Sequence, residues 1–289
     1  MRIFSYRQAG AIRLGVVSAT NAAEFIDLQT AAPALPTDMT SLIAVGGFDA
    51  ARAAAAKAGA AAMRPLAGVH YAPVVPRPPK IICVGLNYAD HAKEGGHARP
   101  EYPSFFMRGA TSQIGHGEPI IRPKASSKLD YEAELAVIIG KRARHLTSAN
   151  ALDCIAGYSC YNDGSIRDYQ RRGNQWTLGK NFDGTGAFGP ALVTPDELPA
   201  GCAGLRIQSR LNGKVMQDSN TEHFLWNVVE CLVIITECMT LEPGDVIITG
   251  TPAGVGYART PPVWMAPGDI CEIEVEGVGI LSNAIADEQ

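Results

Sequence analysis

The sequence predicts an α+β chain, mostly β, in which a small N-terminal α+β domain precedes a larger strand-rich one. Three observations predict this. Short runs among the first thirty residues alternate apolar and polar positions. Four prolines then interrupt the chain between residues 73 and 79. Beyond them strand-like segments recur, with few stretches at helical spacing.

The N-terminal runs are Arg2-Ile3-Phe4-Ser5-Tyr6, Ile12-Arg13-Leu14-Gly15-Val16 and Phe25-Ile26-Asp27-Leu28. Their period of two predicts a small antiparallel sheet. The alanine-rich stretch 51–62 favours helix on propensity. In Pro73-Val74-Val75-Pro76-Arg77-Pro78-Pro79 neither helix nor strand can continue, which divides the chain into 1–72 and 73–289. Ile81-Ile82-Cys83-Val84-Gly85 opens the second part as a short buried strand, and residues 132–139, 205–211, 245–249 and 270–275 are strand-like too. Two turns share the sequence Pro-Gly-Asp, at 243–245 and 267–269, where glycine supplies the positive φ of a tight reversal. Phe224, Leu225, Val228, Val229, Leu232 and Ile235 put helical spacing on 221–239.

Bulk composition narrows the function. Of 289 residues, 46% are hydrophobic and 19% charged, an ordinary globular balance. A net charge of -4 without a basic stripe argues against a nucleic-acid partner. No apolar run is long enough to span a bilayer and none opens the chain as a signal peptide would, so a cytoplasmic protein with no membrane partner is expected. Seven cysteines, an odd number with no C-x-x-C, read as buried free thiols.

The most informative stretch is Asp130-Tyr131-Glu132-Ala133-Glu134, followed by the apolar run 135–139. On a strand Glu132 and Glu134 share one face, their Cα atoms roughly 6.6 Å apart. At an effective dielectric near 20 two such charges repel by about 2–3 kcal/mol. Solvent at a sheet edge, protonation of one acid, or a divalent cation would each relieve this. The flanking apolar run argues for burial, and Asp163 in Asn162-Asp163-Gly164 can be turned towards the same place. Three hard oxygen ligands without a nearby cysteine favour Mg2+ or Mn2+ over zinc.

His91 and Glu94 stand three residues apart after the Gly85-Leu86-Asn87-Tyr88 turn and lie side by side on a helical turn. A carboxylate beside imidazole orients the ring and favours its protonated form, as a base near neutral pH requires. The same spacing is also common for a plain surface pair. Gly95-Gly96 ends the turn and could hinge a lid. His97 and His116 read as surface residues, and His223 beside Glu222 as a helix-start residue.

Taken together, these segments resemble the fumarylacetoacetate hydrolase family. The resemblance rests on residues 84–94, 130–140 and 157–170, then on Gly179-Lys180-Asn181-Phe182-Asp183, Leu241-Glu242-Pro243-Gly244-Asp245 and Thr249-Gly250-Thr251-Pro252-Ala253-Gly254-Val255-Gly256. These run in family order over about two-thirds of the chain, and the first seventy residues carry little of the signal. The resemblance implies a rolled, mixed β-sandwich in the C-terminal domain and a homodimer. It implies Glu132, Glu134 and Asp163 as ligands of Mg2+ or Mn2+, and His91 with Glu94 as a water-activating pair. Lys180 becomes a catalytic residue; Arg167, Gln170 and Thr251 become substrate-binding residues. One departure stands out: Arg108-Gly109 occupies the place of the family's frequent Lys-Pro, so Arg108 is expected at the substrate with a planar fork in place of an ammonium.

The activity implied first is hydrolytic cleavage of a carbon–carbon bond in an acylpyruvate or related 1,3-diketo acid, a small 2-oxo acid substrate. His91, held by Glu94, would activate water, and Lys180 beside the metal would stabilise the departing enolate. Decarboxylation of a 2-oxo diacid, or keto–enol isomerisation, uses the same parts without attacking water. A non-enzymatic binding protein would not need all three acids and the His–Glu pair. A dinucleotide enzyme is disfavoured, because no G-x-G-x-x-G links a strand to a helix.

Overall fold

The computed structural model describes residues 1–96 and 100–289; His97 lies outside the described residues. The alternating N-terminal runs become β1 (Arg2–Gln8), β2 (Ala11–Val17) and β3 (Glu24–Asp27), all antiparallel. A short α1 (Leu28–Ala31) leads to α2 (Met39–Ala44), capped by the Asp38 side chain, and α3 (Phe48–Ala56). The alanine-rich helix is shorter than propensity suggests. It stops at Ala56, because the chain must turn back through Gly59 to lay β4 (Met63–Pro65) beside β3. There pairing overrides propensity.

Beyond the prolines come β5 (Ile81–Gly85), α4 (Ala89–Glu94), β6 (Ser104–Arg108), β7 (Gln113–Ile114), β8 (Ile120–Arg122), β9 (Leu129–Asp130) and β10 (Ala133–Ile139). Then follow β11 (Ile155–Asp163), β12 (Ser165–Ile166), α5 (Arg167–Gln170), α6 (Thr177–Lys180), β13 (Gly186–Val193), β14 (Arg206–Leu211) and β15 (Lys214–Asn220). The chain ends with α7 (Val228–Cys238), β16 (Val246–Ile248), β17 (Ile270–Val275) and β18 (Gly279–Asp287). A capping box between Asn227 and Glu230 starts α7. Both Pro-Gly-Asp turns use positive φ, 87° at Gly244 and 92° at Gly268.

These strands form a mixed eleven-stranded sheet, a five-stranded one and a two-stranded β9–β12 pair, with few helices, as expected of a rolled β-sandwich. The large sheet runs β4-β3-β2-β1-β13-β11-β10-β16-β5-β6, and β7 adds to β13. The 72/73 junction is an irregular, proline-rich segment, yet β1 pairs with β13, so the N-terminal sheet and the catalytic sheet share one hydrogen-bonded ladder. The smaller sheet, β15-β14-β17-β18-β8, packs on one face. Along β10 the odd residues Ala133, Leu135, Val137 and Ile139 join that interface. Ala136 and Ile138 face the other way, into a core shared with α2 and α3. Period-two alternation therefore puts Glu132 and Glu134 on this second face, at the end of the strand beyond the helices.

All seven cysteines are free; Cys238 is exposed and the other six are buried. His116 is half-buried rather than exposed: its Nδ1 accepts from the Ser282 amide at 3.1 Å and its ring meets Tyr71 edge-on. Among the described residues no helix is long and apolar enough to cross a membrane.

Candidate metal centre and active site

Glu134 stands opposite Tyr161 in the β10–β11 ladder, and the Asp163 amide donates to the Glu132 carbonyl at 3.0 Å. That register brings Glu132, Glu134 and Asp163 to one place, all buried, with one carboxylate oxygen from each within 4.8 Å of the others. The set fits a hard divalent cation by donor chemistry and by charge. Burial pushes the Glu134 carboxyl well above its ordinary range, reinforced by the charges of Asp163 and Glu132. A bound cation would reverse that penalty.

Around the acids runs a chain of ion pairs of alternating sign. Asp130 meets Arg167 Nε at 2.7 Å, Arg167 Nη1 meets Glu132 at 2.7 Å, and Lys180 Nζ bridges Glu132 at 2.6 Å and Asp163 at 2.5 Å. Arg108 closes the series on Asp163 at 2.5 Å. Burial opposes ionisation of Glu132, but Lys180 and Arg167 outweigh it and hold the carboxyl down at about 2. Burial likewise disfavours the Lys180 ammonium, and Asp163 and Glu132 overcome it, raising its pKa. Glu134 alone among the three acids has no cationic partner in this series; it accepts from the Gly250 amide.

A cavity of about 440 Å³ opens onto this cluster, and His91, Lys180, Arg167, Gln170 and Thr251 all line it. Arg167 does not make the surface pair with Asp168 that its neighbour invites. It is buried on Asp130, and Asp168 accepts from Ser126 instead. Gln170 Oε1 accepts from Arg167 Nη1 at 3.0 Å, and Thr251 Oγ1 accepts from Gln217 at 2.7 Å. His91 and Glu94 lie on α4, with Nδ1 and Oε2 3.6 Å apart. That is longer than a hydrogen bond, and His91 Nδ1 is buried without a partner. Both Glu94 oxygens accept from the Gly254 amide at 3.0 Å. A side chain at residue 254 would meet the Met216 carbonyl 2.3 Å away, so only glycine lets this amide approach.

Arg108 requires a correction. Expected at the substrate, it does not line the cavity but lies behind Asp163. The β6 pairing turns its side chain into the protein, where Nε donates to Ser112, Nη1 to Asp163 and Gly164, and Nη2 to Thr185. Its fork is used up on the protein itself.

Sequence reasoning missed four contributors. Asp130 is fully buried and accepts from Arg167, Gly256 and Tyr257; its place two residues before Glu132 was the available signal. Asn87 ties the turn ahead of α4 to the Trp226 and Thr249 carbonyls and to the Trp226 amide. Gln217 holds Thr251, and Tyr257 lines the cavity; neither stands out in sequence. The glycine-rich loop 249–257 thus aims amides at Glu134, Glu94 and Asp130 in turn.

Chemically, the arrangement offers a cation site, an imidazole with a carboxylate beside it, and positive charge in one cavity. Those are the parts for moving a proton next to a carbonyl and stabilising the enolate.

The model of the fumarylacetoacetate hydrolase C-terminal family matches residues 80–286. The mitochondrial oxaloacetate tautomerase Fahd2a of Rattus norvegicus is 39% identical over 261 residues, 90% of this chain and 83% of its own. The fumarylacetoacetate hydrolase of Exiguobacterium antarcticum superposes with a TM-score of 0.85 at 35% identity, each chain fully covered. A maleylpyruvate hydrolase from Sphingobium sp. SYK-6, solved with manganese(II) and pyruvate, gives 0.82 at 29% identity with the same coverage.

Proposed function

The chain belongs to the fumarylacetoacetate hydrolase family, and on that premise we propose that it is a Mg2+- or Mn2+-dependent tautomerase, interconverting the keto and enol forms of a small 2-oxo acid. The observation that carries this is the opening of His91 and the three buried acids onto one cavity. Glu132, Glu134 and Asp163 would hold the cation, which supplies Lewis acidity to the bound 2-oxo acid. Glu94, fixed by the Gly254 amide, stands with Oε2 3.6 Å from His91 Nδ1; closing that gap on substrate binding would orient the ring and leave Nε2 to take the proton from the carbon beside the ketone and deliver it to the enolate oxygen. The Lys180 ammonium places positive charge where the enolate oxygen develops. Similarity to a named oxaloacetate tautomerase over nine-tenths of the chain supports this order of preference.

Hydrolytic cleavage of an acylpyruvate, placed first by the sequence alone, is the second reading. The complete His91–Glu94 pair favours it, since that pair could equally activate water, as does the likeness to a maleylpyruvate hydrolase. The deciding experiment follows decay of enol-oxaloacetate absorbance with added magnesium or manganese, alongside acylpyruvate cleavage in ¹⁸O-water. Metal-dependent acceleration of enol decay is expected. No acceleration with either metal, together with ¹⁸O entering a released acid, would replace tautomerisation by hydrolysis.

A further inference from the structure

At the mouth of the cavity the phenol ring of Tyr257 carries two guanidinium groups. The Cζ atoms of Arg167 and Arg171 each lie 4.5 Å from its centroid. The main chain that carries the ring is held in place, because the Tyr257 amide donates to Asp130 at 3.0 Å. Arg167 spends Nε and Nη1 on Asp130, Gln170 and Glu132, but its Nη2 is buried with no partner. Arg171 lines the same cavity, is exposed, and forms no ion pair among the described residues.

Charge points the same way. The side chains lining the cavity comprise three carboxylates, Glu132, Glu134 and Asp163, against three permanent cations, Arg167, Arg171 and Lys180. Immediately behind them Arg108 and Asp130 add one charge of each sign. With all three acids ionised around a divalent cation, the wall charges cancel and the cation leaves a surplus of two positive charges. A 2-oxo acid with one carboxylate balances half of that. One with two carboxylates balances all of it, and its second carboxylate needs donors away from the metal end. The buried Nη2 of Arg167 and the aromatic-backed guanidinium of Arg171 are such donors.

We infer that Arg171, laid against Tyr257 beside the unpaired Nη2 of Arg167, is the specificity-determining residue that selects 2-oxo acids with a second carboxylate over monoacids. The inference rests on the reading that the cavity takes a small 2-oxo acid, and it adds which members of that class are chosen and by what.

The test is calorimetric binding to the magnesium-loaded protein, wild type and Arg171→Met. The dianionic probe is 3,3-difluoro-oxaloacetate, which has no hydrogen to lose beside its ketone; the monoanionic probe is pyruvate. Methionine keeps an apolar reach over Tyr257 and removes the charge together with the N–H donors. Dianion binding is expected to weaken about fivefold, the upper end for a partly exposed ion pair, with pyruvate binding changed by less than about twofold. Equal weakening of both ligands, or no weakening of the dianion, overturns the assignment. Because calorimetry reads binding and not turnover, failure here is separate from failure of the tautomerase reading, which is seen only in the enol-decay assay.

Discussion

Glu134→Gln separates a metal ligand from a structural acid. With carboxylate oxygens up to 4.8 Å apart, each pair of full charges among the three acids repels by about 3.5 kcal/mol at an effective dielectric of 20. Lys180 and the arginines neutralise Glu132 and Asp163 directly, whereas Glu134 has only the Gly250 amide, so the metal-free protein favours it as the neutral acid. Glutamine has that shape and that charge, and its carbonyl can still accept from Gly250. The metal-free variant should therefore melt within about 2–3 °C of wild type, equivalent to about 1 kcal/mol. With metal the two proteins diverge. At a metal concentration 100 times Kd, wild type gains about 2.7 kcal/mol, a rise of about 5–8 °C. If losing the charged ligand weakens binding about 100-fold, the variant gains only about 0.4 kcal/mol at the same concentration, close to 1 °C. Thermal melts of chelator-treated protein, with and without magnesium or manganese, read both quantities. A metal-induced shift retained in full by the variant would refute Glu134 as a ligand. A metal-free variant melting far below wild type would show that its carboxylate is structural.

Three further outcomes follow from the same geometry. Glu94→Gln should lower kcat by up to about 10²- to 10⁴-fold, the span of the general-base catalysis by His91 that Glu94 supports, while leaving the metal-induced melting shift intact; loss of both together would place Glu94 in the metal site. Asn87→Ala removes three side-chain hydrogen bonds at a buried turn, taking a donor from the Thr249 and Trp226 carbonyls and the acceptor from the Trp226 amide; the Trp226 carbonyl keeps only the weak Cys231 thiol donor. The substitution should destabilise the protein by about 3–5 kcal/mol in urea unfolding, and a change below about 1 kcal/mol would mean that water replaces those bonds. For Asp27, burial opposes ionisation, but hydrogen bonds from Arg13 and Thr30 prevail and hold its carboxyl below the ordinary 3.8. The stability this contributes is present above about pH 4 and disappears as pH falls through the lower folded value. The stability gap between wild type and Asp27→Asn should accordingly narrow in acid, and parallel pH profiles from 3 to 7 would contradict it.

The parts legible in the sequence are those governed by short-range periodicity. Alternation along β1–β3 and the apolar run of β10 led to the elements observed, because side-chain period and burial are local properties; the helical spacing of 221–239 gave α7 only over Val228–Cys238, since Asn227 caps it there. The i,i+2 spacing of Glu132 and Glu134 and the i,i+3 spacing of His91 and Glu94 likewise put each pair on one face. What stayed hidden depends on contacts across the sheet. Nothing near Arg108 reveals that β6 will aim it at Asp163, fifty-five residues away. Nothing near Gly254 reveals that its amide meets Glu94, 160 residues earlier. The continuity of β1 with β13 is of the same kind, since the prolines at 73–79 mark a break in local structure and say nothing about which strands pair afterwards.

The buried ion-pair series also bears on why the site has this form. Removing charges from water costs several kcal/mol per ion, and well-packed apolar side chains of similar volume often serve stability as well or better. Asp130, Arg167, Glu132, Lys180, Asp163 and Arg108 nevertheless alternate in sign without a gap. Such a series holds Glu132 ionised and fixes each of these side chains in place before any ligand arrives, which an apolar core cannot do. Because the six charges cancel, the field inside the cavity is set by what lies outside the series. Among the lining residues those are Glu134 at the metal end and Arg171 at the mouth. A cation at the first and an anion at the second are the two ligands that this distribution of charge favours, and a 2-oxo acid with a second carboxylate reaches from one to the other.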